Sequence, residues 1–204
     1  MSEVKYPKLR VRSVKPCETY KLIPIDEYIR VMGSGDAEID REFLCFEENY
    51  IPLVPFIPYD FTVVDLGCYM AAQSYHFTNK AGYVGVDVYD AKRINGYNPP
   101  LRFKPWNAGH MTESIVDFMK NHLQFFDIHK TYFIMSAVPD PEGKLATYVL
   151  NNVEHAYIAY PGKKTQVKGI NSDLIRKAAY EYKLEHCPER IRQDVDYKEE
   201  TKAS

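Results

Sequence analysis

Along the middle of this chain, short apolar runs alternate with segments in which apolar residues recur every three or four positions. Phe61–Leu66, Tyr83–Val88, Leu101–Trp106, Tyr132–Val138 and His155–Tyr160 are the runs, and their length and content predict five β-strands. Between them, Ala71–Thr78, Met111–Phe126 and Glu142–Asn152 predict helices. The stripe of Ile115, Phe118, Met119, His122, Leu123 and Phe126 makes the second of these the clearest, with His122 read as a neighbour in the stripe. Asp140 followed by Pro141 predicts a cap with proline at the first helical position of the third. Leu174, Ile175, Ala178, Ala179 and Tyr182 predict a last amphipathic helix, ended by Pro188. Strands apolar on both faces and separated by helices imply an α/β fold, a doubly wound and mainly parallel sheet with helices on both sides.

The first sixty residues follow a different pattern, so the chain is read as an N-terminal extension or lid over 1–60 and a main domain over 61–200. Leu9–Val14 predicts a short strand and Ile25–Met32 a short helix stopped by Gly33-Ser34-Gly35. Ile39, Phe43, Phe46 and Tyr50 recur at helical spacing, and Pro52, Pro55 and Pro58 force an extended entry into the first strand. Such a segment closes over a ligand or covers one face of the sheet.

Composition narrows the partners more than the fold. A net charge of -2 without a long basic run gives no footprint for gripping nucleic-acid phosphates, and Lys163, Lys164 and Lys168 read as a solvated loop. No apolar run approaches the roughly 20 residues of a membrane helix, and Met1–Arg12 has no signal-peptide core. A cytoplasmic protein with no membrane partner is the expectation. Cys17, Cys45, Cys68 and Cys187 form no Cys-x-x-Cys pair, and the histidines show no metal-ligand spacing, so reduced thiols and no metal are predicted.

In an open parallel sheet, ligands bind beyond the carboxyl ends of the strands, which selects Asp65–Tyr69, Asp87–Tyr89, Trp106–His110 and Ser136–Asp140. Asp87 closes the second strand twenty residues after Gly67, the spacing that offers a carboxylate to two ribose hydroxyls. The turn after Gly67 reads Cys68-Tyr69-Met70-Ala71-Ala72, a poor pyrophosphate cradle, and no Gly-x-x-x-x-Gly-Lys loop occurs. A nucleoside ligand without phosphate fits this turn better.

On these residues the chain resembles the Rossmann-like class I S-adenosylmethionine-dependent methyltransferases. Val63-Val64-Asp65-Leu66-Gly67-Cys68 matches their first motif and Tyr83-Val84-Gly85-Val86-Asp87 their second. The resemblance covers roughly residues 61–160. It implies S-adenosylmethionine as cofactor, with Asp65 and Gly67 along its methionine part, joined by Cys68 and Tyr69 of the same turn. It also implies Asp87 on the ribose, Val88 on the adenine face, and Asn107 as acceptor from the adenine amino group. The family's first turn usually has two more glycines where this chain has Tyr69 and Ala71.

Methyl transfer from a sulfonium depends on alignment more than on acid–base groups, so catalytic residues leave little trace in a sequence. The candidates are Asp140, which orients or deprotonates a nucleophile or else caps its helix, and His110 and Tyr69, which face the same strand ends. Asn98-Pro99-Pro100-Leu101 reads as a proline turn. Methyl transfer to an unidentified acceptor is the expected activity. Two alternatives stand beside it: a non-catalytic protein of the same fold that binds a partner, and a nicotinamide-dependent oxidoreductase, which Asp87 suits and the phosphate turn does not.

Overall fold

Six strands form one sheet in the order β3-β2-β1-β4-β5-β6. The computed structural model describes residues 47–68, 72–77, 79–88, 108–159 and 163–186. The strands are β1 (Thr62–Leu66), β2 (Gly82–Asp87), β3 (Ala108–Thr112), β4 (Thr131–Ser136), β5 (His155–Ala159) and β6 (Gln166–Lys168). The first five run parallel and β6 pairs antiparallel with β5. From β1 the chain steps outward to β2 and β3, then returns to place β4 on the other side of β1. The order therefore reverses between β1 and β4, and a doubly wound sheet opens its ligand crevice there.

Alternate side chains of β1, β2, β4 and β5 enter separate cores. Val63, Tyr83, Tyr132, Ile134 and Tyr157 face one side, where they meet Tyr50, Leu53 and Ile57, Phe77, and Ile175 and Ala179 of α3 (Ser172–His186). Val64, Leu66, Val86, Phe133 and Met135 face the other, against Phe118 and Met119 of α1 (Ile115–Asn121) and Ala146 and Val149 of α2 (Lys144–Asn152). Burial on both faces explains the nearly continuous apolar runs.

Residues 47–57, expected as part of an extension, are a cover over the first face. Two 3-10 turns, Glu47–Asn49 and Ile51–Leu53, seat Tyr50 and Leu53 in its core. Lys80 Nζ donates to the carbonyls of Val54 (2.7 Å) and Ile57 (2.6 Å), and Asn171 Nδ2 to that of Phe56 (2.6 Å), which anchors the C-terminal end of the cover. The strand predicted at Leu9–Val14 and the helix at Ile25–Met32 lie outside the described residues.

Several element boundaries differ from the sequence reading. The strand paired with β2 is Ala108–Thr112, and the predicted Leu101–Trp106 lies outside the described residues. Met111 and Thr112 therefore belong to β3, not to a helix beginning at Met111. Ser114 starts α1 instead, its hydroxyl accepting from the Asp117 amide at 3.1 Å, and α1 gives way at His122 to a 3-10 turn over Leu123–Phe125. Ala71–Thr78 is represented by a 3-10 helix at Ala72–Phe77. β4 stops at Ser136 because Ala137 takes a positive φ of 58°. β6 was not anticipated: Gln166 and Val167, both half-buried, and the exposed Lys168 carry no alternation to read.

Candidate functional site

The carboxyl ends of β1, β2 and β4 meet at the reversal point, and each contributes residues that the sequence singles out. After β1, Gly67 adopts φ 79°, and its amide and that of Cys68 both donate to the Val86 carbonyl, at 2.7 and 3.2 Å. The turn is thereby tied to the last residues of β2. A side chain at Gly67 would overlap Cγ2 of Val138, so glycine is required by both backbone and space. Cys68 is fully buried.

Asp87 ends β2 with 9 % of its surface exposed, and its carbonyl accepts from the Glu113 amide at 2.8 Å. Val88, next to it, is 63 % exposed. A carboxylate at a strand end beside an exposed apolar side chain can take a ribose and the face of a base. Strand alternation puts Asp65, Asp87 and Ser136 on the face that carries Tyr50.

Asp65 is wholly occupied within the protein. Its surface is 0 % exposed; Tyr83 Oη donates to Oδ2 at 2.6 Å and Tyr50 Oη to Oδ1 at 3.2 Å. Burial raises its carboxyl to about 7, the two tyrosine bonds oppose that rise, and the nearby Asp87 adds to it. Burial also holds both tyrosines well above the usual phenol range, with the Asp65 charge next in effect. The network continues across the sheet. Tyr50 is in hydrogen-bond contact with Ser136, Asn49 Nδ2 donates to Ser136 Oγ at 3.0 Å, and Tyr157 Oη donates to Asn49 Oδ1 at 3.3 Å. Tyr50 and Asn49 carried no motif; Tyr50 belonged only to a set of apolar residues at helical spacing, and Asn49 to none.

Asp140 caps α2, from farther upstream than the sequence suggests. The helix starts at Lys144 with Gly143 at φ 70° in the capping position, and Asp140 Oδ2 accepts from the Ala146 amide at 2.8 Å. Pro141 and Glu142 are in the turn before it. The backbone of His110 lies in β3. Tyr69 and Asn107 are outside the described residues. Among the described residues, no three His, Cys, Asp or Glu side chains gather as a metal site requires, and no helix is long and apolar enough to cross a membrane.

No family model and no curated protein matches the sequence. Among solved structures the chain is similar to an rRNA methylase from Streptococcus thermophilus, at 11% identity and a TM-score of 0.40 over 57% of this chain and 71% of that one. It is also similar to a cyclopropane-fatty-acyl-phospholipid synthase-like protein from Lactobacillus casei ATCC 334, at 10% identity and a TM-score of 0.46 over 68% of this chain and 57% of that one.

Proposed function

We propose that the crevice at the ends of β1 and β2 binds S-adenosylmethionine and that the protein transfers its methyl group to an acceptor. The observation that carries this reading is the pairing of Asp87 with the Gly67 turn. A carboxylate at the end of β2 stands next to a turn whose amides are held on Val86 and whose first residue has no side chain. Ribose hydroxyls suit Asp87, an adenine face suits Val88, and a sequence after Gly67 that is poor in the glycines a pyrophosphate needs suits a ligand that has no phosphate. When bound, the cofactor supplies a sulfonium-activated methyl. The chain's own part is to orient that group and keep water from it, since the reaction rests on alignment. Asp65 enters this reading as a residue that shapes the turn from behind, because both its oxygens already accept from tyrosines.

The test is calorimetric titration with S-adenosylmethionine, S-adenosylhomocysteine and NAD on the native protein and on Asp87→Ala. Binding of the first two, weakened at least about tenfold in the variant through loss of charge-assisted hydrogen bonds, is the expected result. Selective binding of NAD overturns the cofactor assignment. A folded protein that binds none of the three favours the non-catalytic alternative.

A further inference from the structure

Met135 and Ser136 end β4 on opposite faces of the sheet, Met135 in the core behind α1 and α2 and Ser136 on the face that carries Tyr50. Continued as a strand, the chain would send Val138 to the Ser136 side. It does not: Val138 packs against the core that holds Met135. The cause is Ala137. Its amide still donates to the Ala159 carbonyl at 2.8 Å, one step beyond the paired residues Ser136 and Ala159, and its φ of 58° then turns the chain over. A positive φ costs an alanine what it would not cost a glycine, so the bend is held in place by the contacts around it.

Turned this way, Val138 stands over Gly67. Its Cγ2 occupies the place of the missing Gly67 side chain, and Cδ1 of Ile115 in α1 lies 3.9 Å from the same point. The contact bridges the ends of β1 and β4, the two strands between which the sheet order reverses. The loop that carries Val138 is fastened at both ends, by the Ala137 amide on Ala159 and by Asp140 Oδ2 on the Ala146 amide. Val138 itself is half-buried, so part of its apolar surface remains uncovered at the carboxyl ends of the strands.

We propose that Val138 is a specificity-determining residue of the crevice, a fixed apolar wall on its β4 side that meets the 5′ substituent of the bound nucleoside, a role that rests on the S-adenosylmethionine reading above. The base and the 5′ substituent leave a ribose from opposite sides of the ring. With the ribose on Asp87 and the base on Val88, the substituent is directed back across the Gly67 turn to Val138. An isopropyl group suits methylenes and a sulfur there and offers no donor to a phosphate. The wall therefore selects a thioether arm and disfavours a 5′-nucleotide, whose charge would lose water and gain no partner from it. Gly67 serves the same end, since only a residue without a side chain lets the wall come so close to β1.

Calorimetric titration with S-adenosylhomocysteine and with adenosine, on the native protein and on Val138→Ala, tests the wall. The two ligands share base and ribose and differ in the arm. Val138→Ala is expected to weaken S-adenosylhomocysteine about 3- to 10-fold, through methyl groups lost from a partly buried contact, and to leave adenosine within about twofold. Val138→Thr keeps the shape and replaces a methyl by a hydroxyl; it is expected to show the same split, and it decides if Val138→Ala does not fold. Equal losses for the two ligands, or unchanged binding of S-adenosylhomocysteine, overturn the wall and leave Val138 as packing for the turn. Failure of the cofactor reading looks different: the native protein then binds neither ligand, and the wall falls with it.

Discussion

Gly67 shows how much one residue fixes at the strand ends. Its φ of 79° lies in the region that disfavours any side chain, and the space a methyl would take already belongs to Val138. Gly67→Ala is expected to lose roughly 1–3 kcal/mol of stability in urea unfolding, from backbone strain and overpacking together. Adding Val138→Ala separates the two causes: it relieves the overlap and leaves the backbone cost in place. Full recovery in the double variant would show that φ matters little here. Asp65, two positions earlier, shows what a motif can conceal. As a sequence letter it points to a ligand; in the fold its oxygens are taken by Tyr50 and Tyr83, one brought from outside the strand–turn–strand unit and one from within the second motif itself.

At the scale of elements, Asp140 separates two readings that the sequence leaves open. Its bond to the Ala146 amide satisfies one of the first-turn donors of α2, where Gly143 offers no side chain to do so. Asp140→Ala is expected to lower stability by about 1 kcal/mol, seen as a fall in Tm, whereas Asp140→Asn keeps an acceptor and most of that stability. Loss of activity in a stable Asp140→Asn would instead reveal an acid–base role. The strands β1, β2, β4 and β5 were legible because burial on both faces leaves an apolar run whatever the loops do. β3 and β6 were not. Ala108-Gly109-His110-Met111-Thr112 has few residues that favour strands and owes its conformation to pairing with β2, and β6 owes its own to pairing with β5. Local spacing marks Gly67 and Asp87, which the fold brings to neighbouring strand ends, whereas Val88 was named only through the family resemblance. Tyr50 and Asn49 were invisible for the opposite reason: their partners are far away in sequence, as far as 108 positions between Asn49 and Tyr157.

Across the whole molecule, two buried ionisable groups give stability an unusual dependence on pH. Asp65, raised to about 7, favours the native state fully below the unfolded aspartate value near 4, and that contribution is lost as pH rises through 7. The slope approaches about 1.4 kcal/mol per pH unit in the middle of that window. Lys80 is lowered to about 8 by burial, so between 8 and the unfolded lysine value near 10.5 the unfolded chain binds more protons and stability rises with pH. Together they place a minimum between about pH 7 and 8, where most small domains are near their best. Urea midpoints measured from pH 5 to 10 check this, and the two limbs belong to different residues. Asp65→Asn removes the fall on the acid side, while Lys80→Met removes the rise on the alkaline side and also frees the Val54 and Ile57 carbonyls that anchor the cover. A profile with its maximum at pH 7 in the native protein would mean that Asp65 is ionised in the native fold, and that the tyrosine bonds outweigh its burial.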